Sequence, residues 1–328
     1  MCWSILCGIF EISTPEQDKG MNNIAICIAT YKRPQGLERL LESLANLRFS
    51  NVSKALVKII VVDNDKEASG EKIVQNMLPR IPCRVAYHVE PKRGICWARN
   101  KLVSLAGDVE FIAFIDDDEI AEAGWLDELI GAQKRFEADV VMGPVLPRFK
   151  GKPPRWIVEG KFFQVSMKPD GALIGEAFTG NVLVKTEVLG KVPGPFDIRL
   201  NLSGGEDTLL FRQIYRLGAK IVFAAKAIVE EFHPSRRMTL KWYCRRAYRI
   251  GNTNALVACY SEGPFACAQR YILTGLGRFF QGFLLLGMSL LVGQTMAVKG
   301  ILSFCLGAGN LSGVFGVTYN GYKYVERK

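Results

Sequence analysis

The sequence predicts an α/β fold with a mostly parallel sheet flanked by helices, followed by a C-terminal helical region that associates with a membrane. Between residues 24 and 115, short apolar runs alternate with amphipathic segments, as is typical of such a sheet. Three of these runs end in a polar or acidic residue, at Thr30, Asp63 and Asp116. From residue 265 to residue 322 the sequence contains no acid and only three basic residues, which predicts the helical region.

The composition narrows the class of protein. The chain has 328 residues, of which 49% are hydrophobic, so it is long and apolar enough for about two domains. Its formal net charge of +10 favours anionic partners such as a nucleotide or a phospholipid surface. Nine cysteines occur without a Cys-x-x-Cys pair and with only two histidines, which argues against a zinc site. We interpret the cysteines as buried free thiols in a reducing cytosol.

Pairs of strand and helix are predicted in order along the first part of the chain. The first strand is Ile24–Ala29, and a turn before Pro34 leads into a helix that carries leucines at helical spacing. The second strand is Val57–Val62. The elements predicted after it are the helix Glu71–Leu78, the strand Arg84–Val89, the helix Gly94–Leu105 and the strand Phe111–Ile115.

Four consecutive acids, Asp116 to Glu119, follow the strand Phe111–Ile115 directly; we call them the acidic turn. In open α/β sheets, ligands bind outside the carboxyl ends of the strands. Mg²⁺ and Mn²⁺ prefer carboxylates and phosphates as ligands. The acidic turn therefore predicts a metal site that holds a phosphorylated ligand. The alternative is a solvated loop that caps the next helix, which is expected to start between Ala121 and Trp125.

Two common nucleotide-binding signatures are missing from the sequence. The segment Thr30-Tyr31-Lys32-Arg33-Pro34 stands where a glycine-rich dinucleotide fingerprint would follow the first strand. No P-loop with a Gly-Lys-Ser/Thr ending occurs. A dehydrogenase and a P-loop kinase are therefore disfavoured.

A second acidic pair, Glu206 and Asp207, follows two glycines and precedes a helix predicted at Thr208–Leu217. Asp207 is either a capping residue of that helix or a second carboxylate facing the metal site.

The segment 236–249 contains six basic residues and no acid. Three interpretations of this segment are open: a solvated helix face, a nucleic-acid patch, or a surface for phosphates and anionic lipid. Nucleic acid ranks last, because no other basic cluster lies nearby in the sequence.

Two weakly polar runs, Phe279–Val298 and Gly300–Tyr322, are long enough for membrane helices. Three arrangements are open for these runs: a hairpin that spans the membrane, helices that lie in the membrane surface, or a buried helical subdomain. Aromatic and basic residues at their borders favour helices in the membrane surface.

The predicted organisation has three parts. Residues 1–20 form a leader without fixed structure, and Met21 is an alternative start of translation. Residues 21–251 form the α/β domain, and residues 252–328 form the membrane-associated helical region.

Six short segments occur in a characteristic order: Ile28–Pro34, Val61–Asn64, Gly94–Asn100, Phe114–Glu119, Pro195–Asp197 and Gly204–Thr208. With these segments, which lie between residues 24 and 251, the chain resembles the inverting glycosyltransferases of family 2. These enzymes have the Rossmann-like GT-A fold and use nucleotide-diphosphate sugars. Within the family the chain looks most like bacterial enzymes of exopolysaccharide assembly, such as the succinoglycan β-glycosyltransferases.

The resemblance implies a set of residues that bind the nucleotide sugar: Thr30, Arg33, Asp63, Arg99, Asp116 and Asp117. Within this set, Thr30 and Asp63 match positions that hold the uracil and the ribose of a UDP-sugar.

The resemblance also implies a metal and a catalytic base. Asp116 and Asp118 match the family's Asp-x-Asp, which binds Mn²⁺ or Mg²⁺ as the cofactor, and His233 matches a looser contact to the metal. Asp207 matches the catalytic base, with Glu206 beside it in the sequence.

The implied reaction moves a sugar from a nucleotide-diphosphate sugar, UDP-sugar first, to a lipid-linked or saccharide acceptor in cell-surface polysaccharide synthesis. The implied place is the cytoplasmic face of the inner (plasma) membrane of a bacterium, with the membrane surface as a partner and no nucleic acid. One alternative is a sugar-phosphate nucleotidyltransferase. Another is a non-catalytic membrane scaffold, against which the intact acidic pairs argue.

Overall fold

A computed structural model of the chain describes residues 24–50, 53–163 and 165–321. The predicted leader, residues 1–20, lies outside the described residues. The chain divides into two compact units. The first runs to Leu146 and also contains Met167–Ile198 and Leu210–Glu231. The second contains Pro147–Ser166 and Arg199–Leu209 and continues from Phe232.

Strands and helices alternate between residues 24 and 115, as the sequence predicts, whereas pairs of successive strands and successive helices occur later in the described chain. The strands are β1 Ile24–Thr30, β2 Val57–Asp63, β3 Arg84–Val89, β4 Phe111–Ile115, β5 Glu119–Ala121, β6 Val140–Met142, β7 Val145–Phe149, β8 Asn181–Lys185, β9 Ile221–Phe223 and β10 Val229–His233. The helices are α1 Pro34–Ala45, α2 Glu71–Met77, α3 Ile95–Ala106, α4 Trp125–Phe136, α5 Arg155–Gly160, α6 Thr186–Gly190, α7 Glu206–Arg216, α8 Leu240–Glu262, α9 Pro264–Val292 and α10 Gln294–Val314.

The first unit is built on a seven-stranded sheet in the order β3-β2-β1-β4-β8-β6-β9. Its strands are parallel except for β8, which runs antiparallel to both of its neighbours. A smaller sheet has the order β5-β10-β7, and its β10–β5 pairing is antiparallel. The mostly parallel α/β sheet that the sequence predicts is therefore confirmed.

Both faces of the central strand β1 are buried, as its continuous apolar sequence requires. Ile24, Ile26 and Ile28 face a core that includes the leucines of α1 and the apolar side of α4. Ala25 and Cys27 face a second core, which includes side chains of α3 and of the later part of α7. Helices thus cover both sides of the sheet, and they leave the carboxyl ends of its strands as the place for a ligand.

The predicted element bounds agree closely with the structure. β3 and β4 have the predicted bounds, and α4 begins at Trp125. α7 begins at Glu206, two residues before the predicted start, so Asp207 lies within the first turn of the helix.

The second unit contains the long helices α8, α9 and α10. The bounds of α9 and α10 differ from those of the two weakly polar runs in the sequence. Helix α9 begins at Pro264 and ends at Val292, and Gly293 then turns the chain into α10. Gly293 has a φ of +103°, which a residue with a side chain rarely adopts. Both α9 and α10 are long and apolar enough to cross a membrane by length and composition.

Helices α8 and α10 are in backbone contact at glycines. A Cβ atom added to Gly309 would lie 2.1 Å from the carbonyl oxygen of Tyr248, and one added to Gly251 would lie 2.2 Å from that of Leu306. Small residues that let backbones approach in this way are typical of helices that associate in lipid.

The prediction that the cysteines are free thiols is wrong for Cys259 and Cys267, which form a disulfide with a Cα–Cα distance of 5.0 Å. Gly263, with a φ of +89°, turns the chain between α8 and α9 and brings the last turn of α8 next to the first turn of α9. Cys27 and Cys96 are buried free thiols, as predicted.

The predicted domain boundary after residue 251 stays a prediction. Helix α8 continues through this residue to Glu262, and the second unit contains earlier parts of the chain as well as the C-terminal helices.

We expect the change Gly309→Ala to destabilise the helical unit by about 1–3 kcal/mol, because the new methyl group would meet the backbone of α8. The control is Gly277→Ala on α9, where an added Cβ meets no atom within 4 Å. The control should be neutral or stabilising by up to about 1 kcal/mol, since alanine favours a helix. Thermal unfolding of the full chain in detergent measures both, and equal melting temperatures would contradict the close contact.

Candidate functional site

The carboxyl ends of three neighbouring strands bring several predicted site residues of the first unit together. Thr30 ends β1 and pairs in register with Asp63 at the end of β2. β1 also pairs with β4, in a register that matches Cys27 with Phe114. The same register continued by three residues places Thr30 beside Asp117 of the acidic turn, and the side chains of these two residues form a hydrogen bond.

Asp117 is the buried centre of the acidic turn and is 4% exposed. Its carboxylate accepts a hydrogen bond from the Thr30 hydroxyl and another from the Arg33 guanidinium, both at 2.8 Å. Burial raises the pKa of Asp117 to about 6, and Arg33 opposes this shift. Asp117 in turn raises the pKa of Arg33 above its usual value. Helix α1 approaches this point closely, since a Cβ atom at Gly36 would lie 2.5 Å from the Asp117 carbonyl oxygen.

The acids on either side of Asp117 are less buried, and each one faces an arginine. Arg33 lies 3.1 Å from Oδ2 of Asp118, whose side chain is 17% exposed. Arg99 Nη2, on α3, lies 3.0 Å from Oδ1 of Asp116, whose side chain is 42% exposed. Two arginines thus offset the repulsion among the carboxylates, and Asp116 and Asp118 remain accessible to a ligand.

Glu119 has a role that the sequence analysis did not assign. Its buried carboxylate accepts a hydrogen bond of 2.8 Å from the backbone N–H of Asp116 and so fixes the start of the acidic turn. Burial, followed by the charge of Asp116, raises the pKa of Glu119 well above its usual value. Gly180 leaves room for this side chain, because a Cβ atom there would lie 2.6 Å from Glu119 Oε1. In the sequence Glu119 is only the last of four consecutive acids, and no pattern there indicates its hydrogen bond to the backbone.

Asp63 is fully buried and shapes the loop after β2. Its carboxylate accepts hydrogen bonds from the backbone N–H groups of Asp65 and Gly70, at 2.9 and 2.7 Å, and from the Tyr87 hydroxyl at 2.8 Å. Burial raises the pKa of Asp63, and these hydrogen bonds oppose the shift. Its contact with a nucleotide stays a prediction.

The predicted metal ligands of the first unit fit a site of the kind that Mg²⁺ uses. Within the described residues, no group of three or more His, Cys, Asp or Glu side chains is arranged to hold a metal ion. Asp116 and Asp118 offer two carboxylates, and Mg²⁺ commonly binds through one or two carboxylates, with substrate phosphates and water as its other ligands. These two side chains therefore fit the predicted cation when a phosphorylated ligand completes the shell.

The second unit contains the predicted catalytic pair at the start of α7. Glu206 is 3% exposed, whereas Asp207 is partly exposed. Oδ1 of Asp207 accepts a hydrogen bond of 2.7 Å from the backbone N–H of Thr208. Gly205 before the pair has a φ of +89°, and a Cβ atom there would lie 2.1 Å from Cγ2 of Thr253 on α8. A glycine is therefore required where the chain enters this helix.

His233 ends β10 and is 2% exposed. Its ring lies against Phe163 and Phe149, with ring centroids 4.4 and 5.8 Å away. These rings belong to an aromatic cluster of the second unit that also contains Tyr243 of the basic segment. The assignment of His233 as a metal contact stays a prediction.

Known proteins with similar sequences cover most of the chain. The model of the family described as Glycosyl transferase family 2 matches residues 25–192. The chain is 34% identical over 234 residues to the succinoglycan biosynthesis protein ExoM of Rhizobium meliloti (strain 1021), covering 71% of this chain and 74% of that protein. It is 24% identical over 242 residues to the glucosyl-dolichyl phosphate glucuronosyltransferase of Haloferax volcanii, covering 70% and 74%.

A solved structure has the same fold. The mannosyltransferase PcManGT from Pyrobaculum calidifontis, in complex with GDP-Man and Mn²⁺, matches with a TM-score of 0.61 and 14% identity, over 91% of this chain and 88% of that chain. The likeness supports the fold, and with it the Rossmann-like GT-A architecture that the sequence predicts is confirmed.

Proposed function

Because the chain belongs to glycosyltransferase family 2, we propose that it transfers a sugar from a nucleotide-diphosphate sugar to an acceptor in the assembly of a cell-surface polysaccharide. The observation that carries the proposal is the acidic turn at the carboxyl end of the sheet. There Arg33 and Arg99 stabilise three adjacent carboxylates, and two of these remain accessible. The role of ExoM in succinoglycan biosynthesis supports a polysaccharide product. The family also favours transfer over the alternative of a sugar-phosphate nucleotidyltransferase.

We propose a UDP-sugar as the donor, because Thr30 and Asp63 match positions of the family that hold the uracil and the ribose of a UDP-sugar. Asp116 is the most exposed acid of the turn and is the first candidate for contact with the donor. Thr30, Arg33 and Asp117 hold the turn in place, and Asp63 holds the neighbouring loop. The GDP-Man complex of PcManGT supports a nucleotide sugar as the donor class.

Asp116 and Asp118 would hold a divalent cation together with the diphosphate of the donor. When bound, Mn²⁺ or Mg²⁺ stabilises the negative charge that develops on the leaving nucleoside diphosphate. The Mn²⁺ complex of PcManGT supports this use of a metal. The arginines then act as further cations, and they position the two carboxylates when no donor is bound.

Asp207 is the proposed catalytic base, because it is partly exposed whereas Glu206 beside it is buried. An acceptor hydroxyl is a poor nucleophile, and a carboxylate that removes its proton as the new bond forms accelerates the reaction. The oxygen of the acceptor forms a bond to the anomeric carbon while the bond to the diphosphate breaks. A single displacement of this kind inverts the anomeric centre, so an α-linked donor gives a β-linked product.

The proposed acceptor is a saccharide linked to a lipid at the cytoplasmic face of the inner membrane. The name of the Haloferax volcanii relative includes a dolichyl phosphate, which supports an acceptor of this kind. Helix α9 supports association with the membrane, because it exposes Phe265, Leu290 and Leu291 by 92%, 89% and 91%.

We expect Asp207→Asn to lower sugar transfer by about 100-fold to 10,000-fold, because the amide cannot accept the proton of the acceptor. Release of nucleoside diphosphate from a panel of UDP- and GDP-sugars, with and without membrane lipid extract as acceptor, measures the reaction. Binding of UDP should stay close to that of the unchanged protein. The control Glu187→Gln alters an exposed acid in the first turn of α6 and should leave transfer unchanged. Near-normal transfer by Asp207→Asn would reduce Asp207 to a structural residue, and release of pyrophosphate instead of nucleoside diphosphate would favour a nucleotidyltransferase.

We expect Asp118→Ala to abolish the increase in UDP affinity that Mn²⁺ causes, because one of the two proposed carboxylate ligands is lost. Calorimetric titration of UDP with Mn²⁺, and again after chelation by EDTA, measures this effect. Asp108→Ala removes an exposed acid elsewhere in the first unit and is the control. If Asp118→Ala binds UDP with the same dependence on Mn²⁺ as the control, the metal proposal fails.

The double change Leu290→Asp and Leu291→Asp should release the protein from membranes, because each aspartate in a bilayer costs about 3 kcal/mol on insertion scales. Sedimentation of membranes from cells that express the variants measures the bound fraction. Leu173→Asp, at a leucine of the first unit that is 73% exposed, should remain in the pellet. A double variant that still sediments like this control would contradict the role of α9.

A further inference from the structure

Helices α8, α9 and α10 line a cavity of about 180 Å³ that opens to the protein surface in the second unit. Six of the seven residues that line it have a polar group in the side chain. The polar side chains of the wall are Asn254, Arg270, Tyr271, Thr274, Arg278 and Asn310. The cavity is larger than the roughly 150 Å³ space that takes up a benzene molecule, so a group of the size of phosphate fits within it.

The charge of the cavity is positive. Arg270 lies 3.4 Å from Glu262, so an acid partly offsets its charge. Arg278 donates a hydrogen bond of 2.8 Å to the neutral side chain of Gln281. No acid among the described residues forms an ion pair with Arg278, and the sequence has none between residues 265 and 322. The charge of Arg278 therefore favours an anion in the cavity.

Asn310 adds a neutral hydrogen-bond donor to the charge of Arg278. The residue is 3% exposed and lies in the cavity wall. Its NH₂ group is a suitable donor to an oxyanion.

The surface beyond the cavity is apolar and exposed. Met288 and Val292 of α9 lie on the same side of the helix as Arg278, at about 100° per residue, and are 48% and 59% exposed. The helix continues from Arg278 to Val292, a distance of about 21 Å at 1.5 Å per residue. A ligand with an anionic head in the cavity would therefore meet a surface suited to a hydrocarbon chain.

We propose that this cavity binds the phosphate group of an anionic membrane lipid. Guanidinium groups bind phosphate oxygens with paired, charge-assisted hydrogen bonds, and basic pockets between membrane helices bind lipid head groups. Free phosphate has the same chemistry at its oxygens, but only a lipid also covers the apolar surface of α9. The proposal concerns lipid binding and does not depend on glycosyl transfer.

Thermal unfolding of the full chain in detergent, without donor or acceptor, tests the proposal. The additions are phosphatidylglycerol, phosphatidylcholine and inorganic phosphate. Because a ligand that binds only the folded state raises the melting temperature, phosphatidylglycerol should raise it by several degrees and phosphatidylcholine by less. Arg278→Gln should lose at least half of the phosphatidylglycerol shift. Lys299→Gln removes the same charge from α10 outside the cavity wall and should keep the shift.

Two further variants separate binding from folding. Arg278→Lys keeps the charge and should keep most of the shift, whereas Asn254→Asp places a negative charge in the wall and should abolish it. If Arg278→Gln and Asn254→Asp both respond to phosphatidylglycerol like the unchanged protein, the proposal is overturned. The remaining result is that inorganic phosphate alone gives the full rise in melting temperature in the unchanged protein and not in Arg278→Gln. That result would show that the cavity binds free phosphate, and the proposal of a lipid would be wrong.

Discussion

The repulsion among adjacent carboxylates at the end of β4 is the constraint on which the rest of the candidate site depends. Two like charges about 4 Å apart repel by roughly 4 kcal/mol near a protein surface, so an acidic turn needs cations close by. Arg33 supplies one cation to Asp117 and Asp118 from the start of α1, and Arg99 supplies another to Asp116 from α3. The helices around the sheet therefore do more than cover its core. They also set the charge at the edge where a phosphorylated ligand would bind.

Burial gives the acids of the turn different tasks. Asp117 and Glu119 are buried, and their hydrogen bonds hold the strand ends and the backbone of the turn. Asp116 and Asp118 keep part of their surface accessible. In the second unit the same distinction separates the buried Glu206 from the partly exposed Asp207. In the acidic turn, the buried acids hold the chain next to acids that remain accessible.

The sequence predicts the central strands well because a parallel strand buried on both faces needs a continuous apolar run. This is why β4 has the predicted bounds. An apolar run does not reveal the neighbour of a strand, so the antiparallel pairing of β8 with β4 and β6 appears only in the structure. The ion pair of Arg33 with Asp117 joins residues 84 positions apart, and no local pattern indicates it. The disulfide between α8 and α9 likewise depends on how Gly263 turns the chain.

Helices α8 and α10 meet through glycines, where the backbone of one helix touches that of the other. Attraction between closely fitted atoms, unlike the expulsion of water from apolar surfaces, persists when hydrocarbon replaces water as the surroundings. The large side chains of α9 are left outside this contact. The helical bundle can therefore keep its internal packing when detergent replaces lipid around it. Solubilisation is then compatible with the native arrangement of the helices.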